Sequence, residues 1–310
     1  MPNATATAIT STPTAAIGFY GTNPLVRTLR LVLGATQRVW PALGARAAYR
    51  LFGTPLPPKW ISRRHGPAER DWHRERWAFE QGDLGLYWPR VTPEATDAPI
   101  VLLAHGWGGH AGQMLALADA LAARGMRPLL LEMPAHGRSG GSASNLPQFA
   151  RAIEYVSGRL AAQGHRVRAV VAHSLGANAL AFAAGRGLAA ERLVLIAPPA
   201  SPYEYTRYFA HVFGLHEATR AAMQRLIEAR EAMLMPNFEP AAVGPRITQP
   251  TLLVHDRDDR VNAFADSEAY RDAIAGARLV ATHGLGHRKV LQAPAVLQSV
   301  ADFAAGTERP

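Results

Sequence analysis

Between Arg168 and Leu180 the chain reads RAVVAHSLGANAL, and no other stretch narrows the choice of fold as far. Ala169, Val170, Val171 and Ala172 form a short apolar run of the kind that makes a buried strand. Gly176 to Leu180 read as the helix that follows, so Ser174 falls at the junction. A chain turning sharply from strand to helix needs small side chains on both sides of the turn. Ala172 and Gly176 stand two residues before and two after the serine. The hydroxyl of such a serine is held above the sheet, where the helix N-terminus directs backbone N–H groups at a ligand. The same residues also fit an ordinary serine in a strand–helix turn, and its partners elsewhere in the chain decide between the two.

Around this stretch, apolar runs alternate with helical patterns. Strands are expected over Pro99–His105, Arg127–Glu132, Arg192–Ile196, Thr251–His255 and Arg278–Thr282, with helices over about 111–124 and 147–163 and after each of the last two strands. Such alternation implies an α/β fold with a mostly parallel central sheet and helices on both faces. Trp77–Pro89 reads as two short strands around Gly82-Asp83, a hairpin. One segment breaks the alternation. Residues 201–246 are mainly helical, rich in Tyr, Phe and Met, and inserted above the carboxyl ends of the strands, where sites form in open sheets. They are expected either to pack on the core or to act as a small lid over an apolar pocket.

Of 310 residues, 48% are hydrophobic and 18% charged, which fits one large folded domain or two. The absence of cysteine excludes disulfides and thiolate metal sites. Lys59 and Lys289 are the two lysines; every other basic residue is arginine. Nearly all of the net charge of +9 sits in residues 1–64, which hold Arg27, Arg30, Arg38, Arg46, Arg50, Lys59, Arg63 and Arg64 and no acid. Residues 1–23 are expected to be disordered, and neither a signal peptide nor a membrane span is legible. A cytoplasmic location follows as an expectation. From Pro24 to Phe52 the pattern is helical, with Leu25, Leu29, Val32 and Leu33 on one face and Pro41 dividing two helices. This basic extension, residues 24–76, is expected to pack on the rest of the chain, with peripheral membrane contact through residues 24–64 as the alternative. No nucleic-acid module surrounds its arginines, so no nucleic-acid partner is expected.

Five motifs occur in a fixed order after the expected strands: His105-Gly106-Trp107-Gly108-Gly109, Pro134-Ala135-His136-Gly137-Arg138-Ser139, the Ser174 elbow, the run HDRDDRV at 255–261, and Gly284-Leu285-Gly286-His287. From Trp77 to the C-terminus the chain resembles the serine-type α/β-hydrolases, esterases and lipases among them. That resemblance implies a catalytic domain over 77–310 with residues 201–246 as its lid.

A serine hydroxyl needs a base as it attacks, and histidine titrates near working pH. By the resemblance, Ser174 is the nucleophile and His287 the base, with His283 as rival. The imidazole needs a carboxylate to fix its tautomer. The family pattern points to Asp259, with Asp258 second; Asp256 stands where relatives have glycine. The backbone N–H groups of Trp107 and Leu175 are implied as the oxyanion hole, and Ala172 replaces a common glycine. His136 and His173 are expected to be structural, while His110 has no assigned role. No metal-binding spacing is present and no cofactor is implied. The expected activity is hydrolysis of a small-molecule, hydrophobic or lipidic carboxylic ester through an acyl-enzyme. Thioester cleavage, acyl transfer and a non-catalytic binding role remain alternatives.

Overall fold

The computed structural model describes residues 24–56, 58–90 and 98–307. The expectation of disorder for residues 1–23 lies outside them. Eight strands form one sheet: β1 (Trp72–Phe79), β2 (Gly82–Pro89), β3 (Ile100–Ala104), β4 (Arg127–Glu132), β5 (Val167–His173), β6 (Leu193–Ile196), β7 (Thr251–Asp256) and β8 (Arg278–Thr282). Their spatial order is β1-β2-β4-β3-β5-β6-β7-β8. From β4 to β8 every pairing is parallel; β1 and β2 are an antiparallel hairpin added through β2 to β4. The hairpin turns at Glu80-Gln81, two residues earlier than the sequence suggests. Glu80 takes the left-handed conformation, and Gly82 and Asp83 already pair with Phe79 and Ala78. The hairpin also begins at Trp72, five residues before the expected start of the domain.

Strands β3, β5, β6 and β7 are buried almost throughout, which is why they read as unbroken apolar runs. Their side chains nonetheless alternate between two cores. Leu102, Val170, Ala172, Leu195 and Leu253 face one layer, which holds α4 (Leu146–Ala162), α5 (Leu175–Ala184) and α8 (Phe264–Ala273). Val101, Leu103, Val171, Val194 and Val254 face the other, against α3 (Leu115–Ala122) and α9 (Pro294–Ala305). The start of α4 is set by Asn145, whose side chain accepts a hydrogen bond from the Gln148 N–H, with proline in the first turn. From β3 the chain crosses to β4 on one side, and from β5 to β6 on the other. The carboxyl ends of β3 and β5 therefore frame the crevice where sheets of this kind carry their sites.

A third core lies away from the sheet. Helices α1 (Pro24–Val39) and α2 (Pro41–Phe52) pack on α6 (Pro202–Phe213) and α7 (Glu217–Glu231) of the inserted segment through Val26, Leu33, Ala48, Phe209, Phe213 and Met223. Gln37 joins the two parts. Its amide donates to the Gly214 carbonyl at 2.8 Å and its oxygen accepts from the His216 N–H at 2.9 Å, filling both sides of the α6–α7 turn. The buried face of α1 differs from the expected one: Val26, Leu29 and Leu33 turn inward, whereas Leu25 and Val32 are exposed. Helix α1 carries apolar residues on more than one side. The choice of side follows from the position of α6, which the spacing in α1 does not encode.

Candidate active site

Ser174 sits between β5 and α5 with φ 54° and ψ −126°, a left-handed conformation that costs a residue with a side chain on the order of 1–3 kcal/mol. The turn is held from outside. The Ser174 N–H donates to the Ile196 carbonyl at 2.8 Å, and its own carbonyl accepts from the Ala177 N–H at 2.8 Å. The β3 loop lies directly against the turn, so a Cβ on Gly176 would stand 2.5 Å from the His105 carbonyl oxygen. Glycine at 176 is therefore a packing requirement, whereas the methyl group of Ala172 is accommodated in the sheet core.

The Ser174 hydroxyl lies 3.0 Å from His287 Nε2, and His287 Nδ1 lies 2.6 Å from Asp259 Oδ2. The other Asp259 oxygen accepts from the N–H groups of Val261 and Asn262 at 2.7 and 3.1 Å. Burial alone would raise the Asp259 carboxyl, but hydrogen bonds from His255 and His287 and the Val261 N–H hold it well below the usual carboxylate range. A carboxylate so held accepts the Nδ1–H of His287, leaving Nε2 free to accept the serine proton. His283 is exposed at the end of β8. Asp258 accepts the Gly284 N–H at 2.8 Å instead of meeting the imidazole.

Asp256 is fully buried and binds the same loop more tightly. It accepts from the N–H groups of Leu285 and Gly286 at 3.1 and 2.9 Å, from its neighbour Asp258, and from the Thr282 hydroxyl at 2.7 Å. His255 lies beneath Asp259 at 3.4 Å, with its other ring nitrogen 2.7 Å from the Ser267 hydroxyl. His255 carries no expected role from the sequence. The available signal is a polar residue near the carboxyl end of a largely apolar strand, and Glu132 at the end of β4 carries it too. Glu132 is buried and accepts from the Tyr87 hydroxyl and the Ala111 N–H, each at 2.9 Å, and from the Arg138 N–H at 3.2 Å. It thereby ties the loop after β3 to the loop after β4.

Two histidines complete that tie. His136 Nε2 accepts the Gly108 N–H at 2.9 Å, so its Nδ1 carries the proton and donates to the Pro134 carbonyl at 2.9 Å. His105 does the same between the Met133 N–H and the Gly106 carbonyl. A ring that accepts at one nitrogen and donates at the other is neutral, and burial holds both rings below the ordinary histidine value. His173 is likewise buried and held low, and its Nε2 donates to the His287 carbonyl at 2.9 Å. Leu175 opens α5, where first-turn N–H groups lack intrahelical acceptors, and Trp107 stands opposite on the β3 loop.

The N-terminal extension braces these loops from outside. Gly108 has φ +66°, and any side chain there would overlap the Leu56 carbonyl. Lys59 Nζ donates to the carbonyls of Ser139 and Gly141, both at 2.5 Å, and Arg63 donates to that of Gly137 at 3.1 Å. Two hollows meet at Trp107. One is an apolar pocket of about 60 Å³ bounded by Phe52, Trp107, Leu146, Leu175, Ile227, Met233, Met235 and Phe238, and thus roofed by the extension and the inserted segment. The other is an open cleft of about 340 Å³ containing Ser174 and His287. Among the described residues no group of His, Asp and Glu is placed to hold a metal ion.

The family described as serine aminopeptidase, S33 matches residues 95–237, a little under half of the chain. Monoacylglycerol lipase from Mycolicibacterium smegmatis is 32% identical over 109 residues, covering 34% of this chain and 38% of that protein. The match thus spans under two fifths of that curated relative's length. Among solved structures, Est1E from Butyrivibrio proteoclasticus matches with a TM-score of 0.58 at 18% identity, covering 76% of this chain and 98% of the other. A putative lipase from Acinetobacter baumannii gives 0.57 at 15% identity, with 76% and 92% covered. A membrane phospholipase A, described as a bacterial virulence factor, gives 0.57 at 18% identity, with 92% and 98% covered.

Proposed function

We propose that this chain, which belongs to the α/β-hydrolase fold family, is a serine hydrolase that cleaves carboxylic esters through an acyl-enzyme. The observation that carries the reading is the continuous hydrogen-bonded line from Ser174 Oγ through His287 to Asp259. Ser174 Oγ attacks the ester carbonyl while His287 Nε2 takes its proton, and Asp259 holds the imidazolium that forms. The backbone N–H groups of Trp107 and Leu175 receive the negative oxygen, each such donor contributing about 3 kcal/mol by comparison with other hydrolases. Collapse expels the alcohol with the proton from His287. Water, activated by the same histidine, then attacks the acyl-serine and regenerates the hydroxyl.

The apolar pocket beside Trp107 and Leu175 favours an apolar acyl group, with residues 201–246 as its lid. The names of the similar proteins, a monoacylglycerol lipase and a phospholipase among them, agree with a lipidic ester. A peripheral membrane contact suits such a substrate. It is supported by the solvent-exposed side chains of Leu25, Leu31, Val32, Val39, Trp40 and Leu43 on the outer side of the basic helices α1 and α2. No helix among the described residues is long and apolar enough to cross a membrane.

The test is labelling with a fluorophosphonate, followed by hydrolysis of p-nitrophenyl esters of increasing chain length. Wild type is expected to label and to turn over, and Ser174→Ala and His287→Ala to do neither. A folded wild type that neither labels nor hydrolyses any ester would overturn the proposal.

A further inference from the structure

We propose that the open cleft beside Ser174 is a leaving-group site for a phosphate-bearing alcohol or thiol, recognised by Arg288 and Lys289. This rests on the ester-cleaving reading above and names its substrate class. The direction of the substrate follows from the proton. His287 Nε2 must hand its proton to the departing oxygen or sulfur, so the leaving group lies on the side of the serine that His287 faces. His287 lines the open cleft and is not part of the apolar pocket. The acyl group therefore takes the apolar pocket, and the leaving group takes the cleft.

The chemistry of that cleft is one-sided. Beyond Ser174, His173 and His287 its polar side chains are Gln113, Arg288 and Lys289, and none of the residues lining it is anionic. Both cations are exposed, and among the described residues neither is paired with a carboxylate. The Asp259 carboxylate near by is buried and already engaged by His255 and His287. Two adjacent like charges over a site with no counter-charge repel each other until an anion arrives, and a neutral alcohol would draw no benefit from them. The backbone that carries them is also anchored. Arg288 and Lys289 belong to the short turn Gly286–Lys289, whose entry is anchored by Asp256 through the Leu285 and Gly286 N–H groups. Arg288 is near enough to His173 and His110 that its charge adds to burial in lowering both, His110 to about 4. A guanidinium, an ammonium and an amide lining one cleft supply the forked and single donors that phosphate oxygens accept.

The experiment compares three substrates with the same medium-length acyl chain: a monoacylglycerol, the monoacylglycerol 3-phosphate, and the acyl-coenzyme A thioester. For wild type, the ratio of kcat/KM for the phosphate ester to that for the neutral ester is expected to exceed about fivefold, and to fall by up to about fivefold for each of Arg288→Gln and Lys289→Gln, the ceiling for a solvent-screened ion pair. The KM for the phosphate ester is expected to rise with added salt while that for the neutral ester holds steady. A preference for the thioester over the glycerophosphate identifies a nucleotide-bearing thiol as the source of the phosphate, and the reverse identifies a glycerophospholipid. A wild-type ratio near one, a ratio unchanged in both variants, or equal salt dependence of the two esters overturns the phosphate site alone. Failure to hydrolyse any of the three by a protein that also fails to label overturns the ester-cleaving reading itself.

Discussion

The carboxylate of Asp256 accepts the backbone N–H of Gly286 at 2.9 Å, and this bond joins the loop that carries Asp259 to the loop that carries His287. The Asp256 carboxylate is buried, and four donors hold its pKa below the ordinary value against the opposing effect of burial. Asp256→Asn keeps the shape but gives up one charged acceptor. A stability loss of about 2 kcal/mol is expected, as for other hydrogen bonds to charged groups. A fall in kcat of about tenfold is expected as the imidazole drifts, equivalent to about 1.4 kcal/mol of barrier, with KM little changed. Thermal melts and steady-state kinetics check both, and a fluorophosphonate labelling rate equal to wild type would show that Asp256 is structural only.

Three carboxylates crowd residues 256–259, and their contacts divide the work. Asp259→Asn is expected to lower kcat roughly 10³–10⁴-fold, because the amide can present its NH₂ to Nδ1 and favour the wrong tautomer. Asp258→Asn disturbs one exposed bond to the Gly284 N–H, worth about 1 kcal/mol, and is expected to cost no more than about fivefold. The reverse order in a kinetic comparison would reassign the triad acid.

The parallel strands were legible in the sequence because each is buried on both faces and so appears as an unbroken apolar run, as in Ile100–Ala104 and Leu193–Ile196. Ser174 was legible because a sharp strand–helix turn demands small neighbours that are local in sequence. What was not legible depends on contacts made far along the chain. Asp256 could be seen only as an irregularity, since its partners at 282–286 are defined by the pairing of β7 with β8. The buried face of α1 was not legible because Leu25 and Val32 are as apolar as Val26 and Leu33, and α6, some 180 residues on, decides which pair turns inward. The outer position of Leu56, Lys59 and Arg63 over the loops after β3 and β4 left no pattern in the sequence beyond a run of positive charge.

Asp266, in the first turn of α8, makes stability depend on pH in the opposite sense to Asp259. Burial pushes its carboxyl up to about 6, against hydrogen bonds from Ala200 and Ala263 that favour the charged form. An unfolded chain titrates the same group at roughly 3.9. The folded state thus binds the proton more tightly, and the penalty of ionising Asp266 is absent below roughly pH 3.9 and complete above the folded value. Asp266→Asn removes that penalty at the cost of an acceptor whose loss is the same at every pH. The Tm of the variant minus that of wild type is expected to be more positive at pH 8 than at pH 4. A difference independent of pH would show that the carboxyl titrates normally.

Helices α1 and α2 combine an apolar outer surface with arginine, and they end in a segment that braces the candidate site. Leu31 is 75% and Trp40 63% exposed, while Phe52 at the far end of α2 lines the apolar pocket. Removing the whole extension would therefore strip the Leu56, Lys59 and Arg63 contacts along with any membrane contact, and loss of activity on truncation is expected whatever the membrane does. Point changes separate the two. The double variant Leu31→Glu, Trp40→Glu places two carboxylates on the outer surface and leaves the buried side of α1 intact. With vesicles rich in anionic lipid, wild type is expected to sediment and the double variant to remain in the supernatant, each arginine near the surface contributing about 1 kcal/mol to the wild-type affinity. Sedimentation of wild type is also expected to weaken with salt and with replacement of the anionic lipid by a zwitterionic one. An unchanged melting temperature in the double variant confirms its fold. Equal sedimentation of the two proteins would remove α1 and α2 as the membrane-facing surface and leave them as a brace for the loops around Trp107.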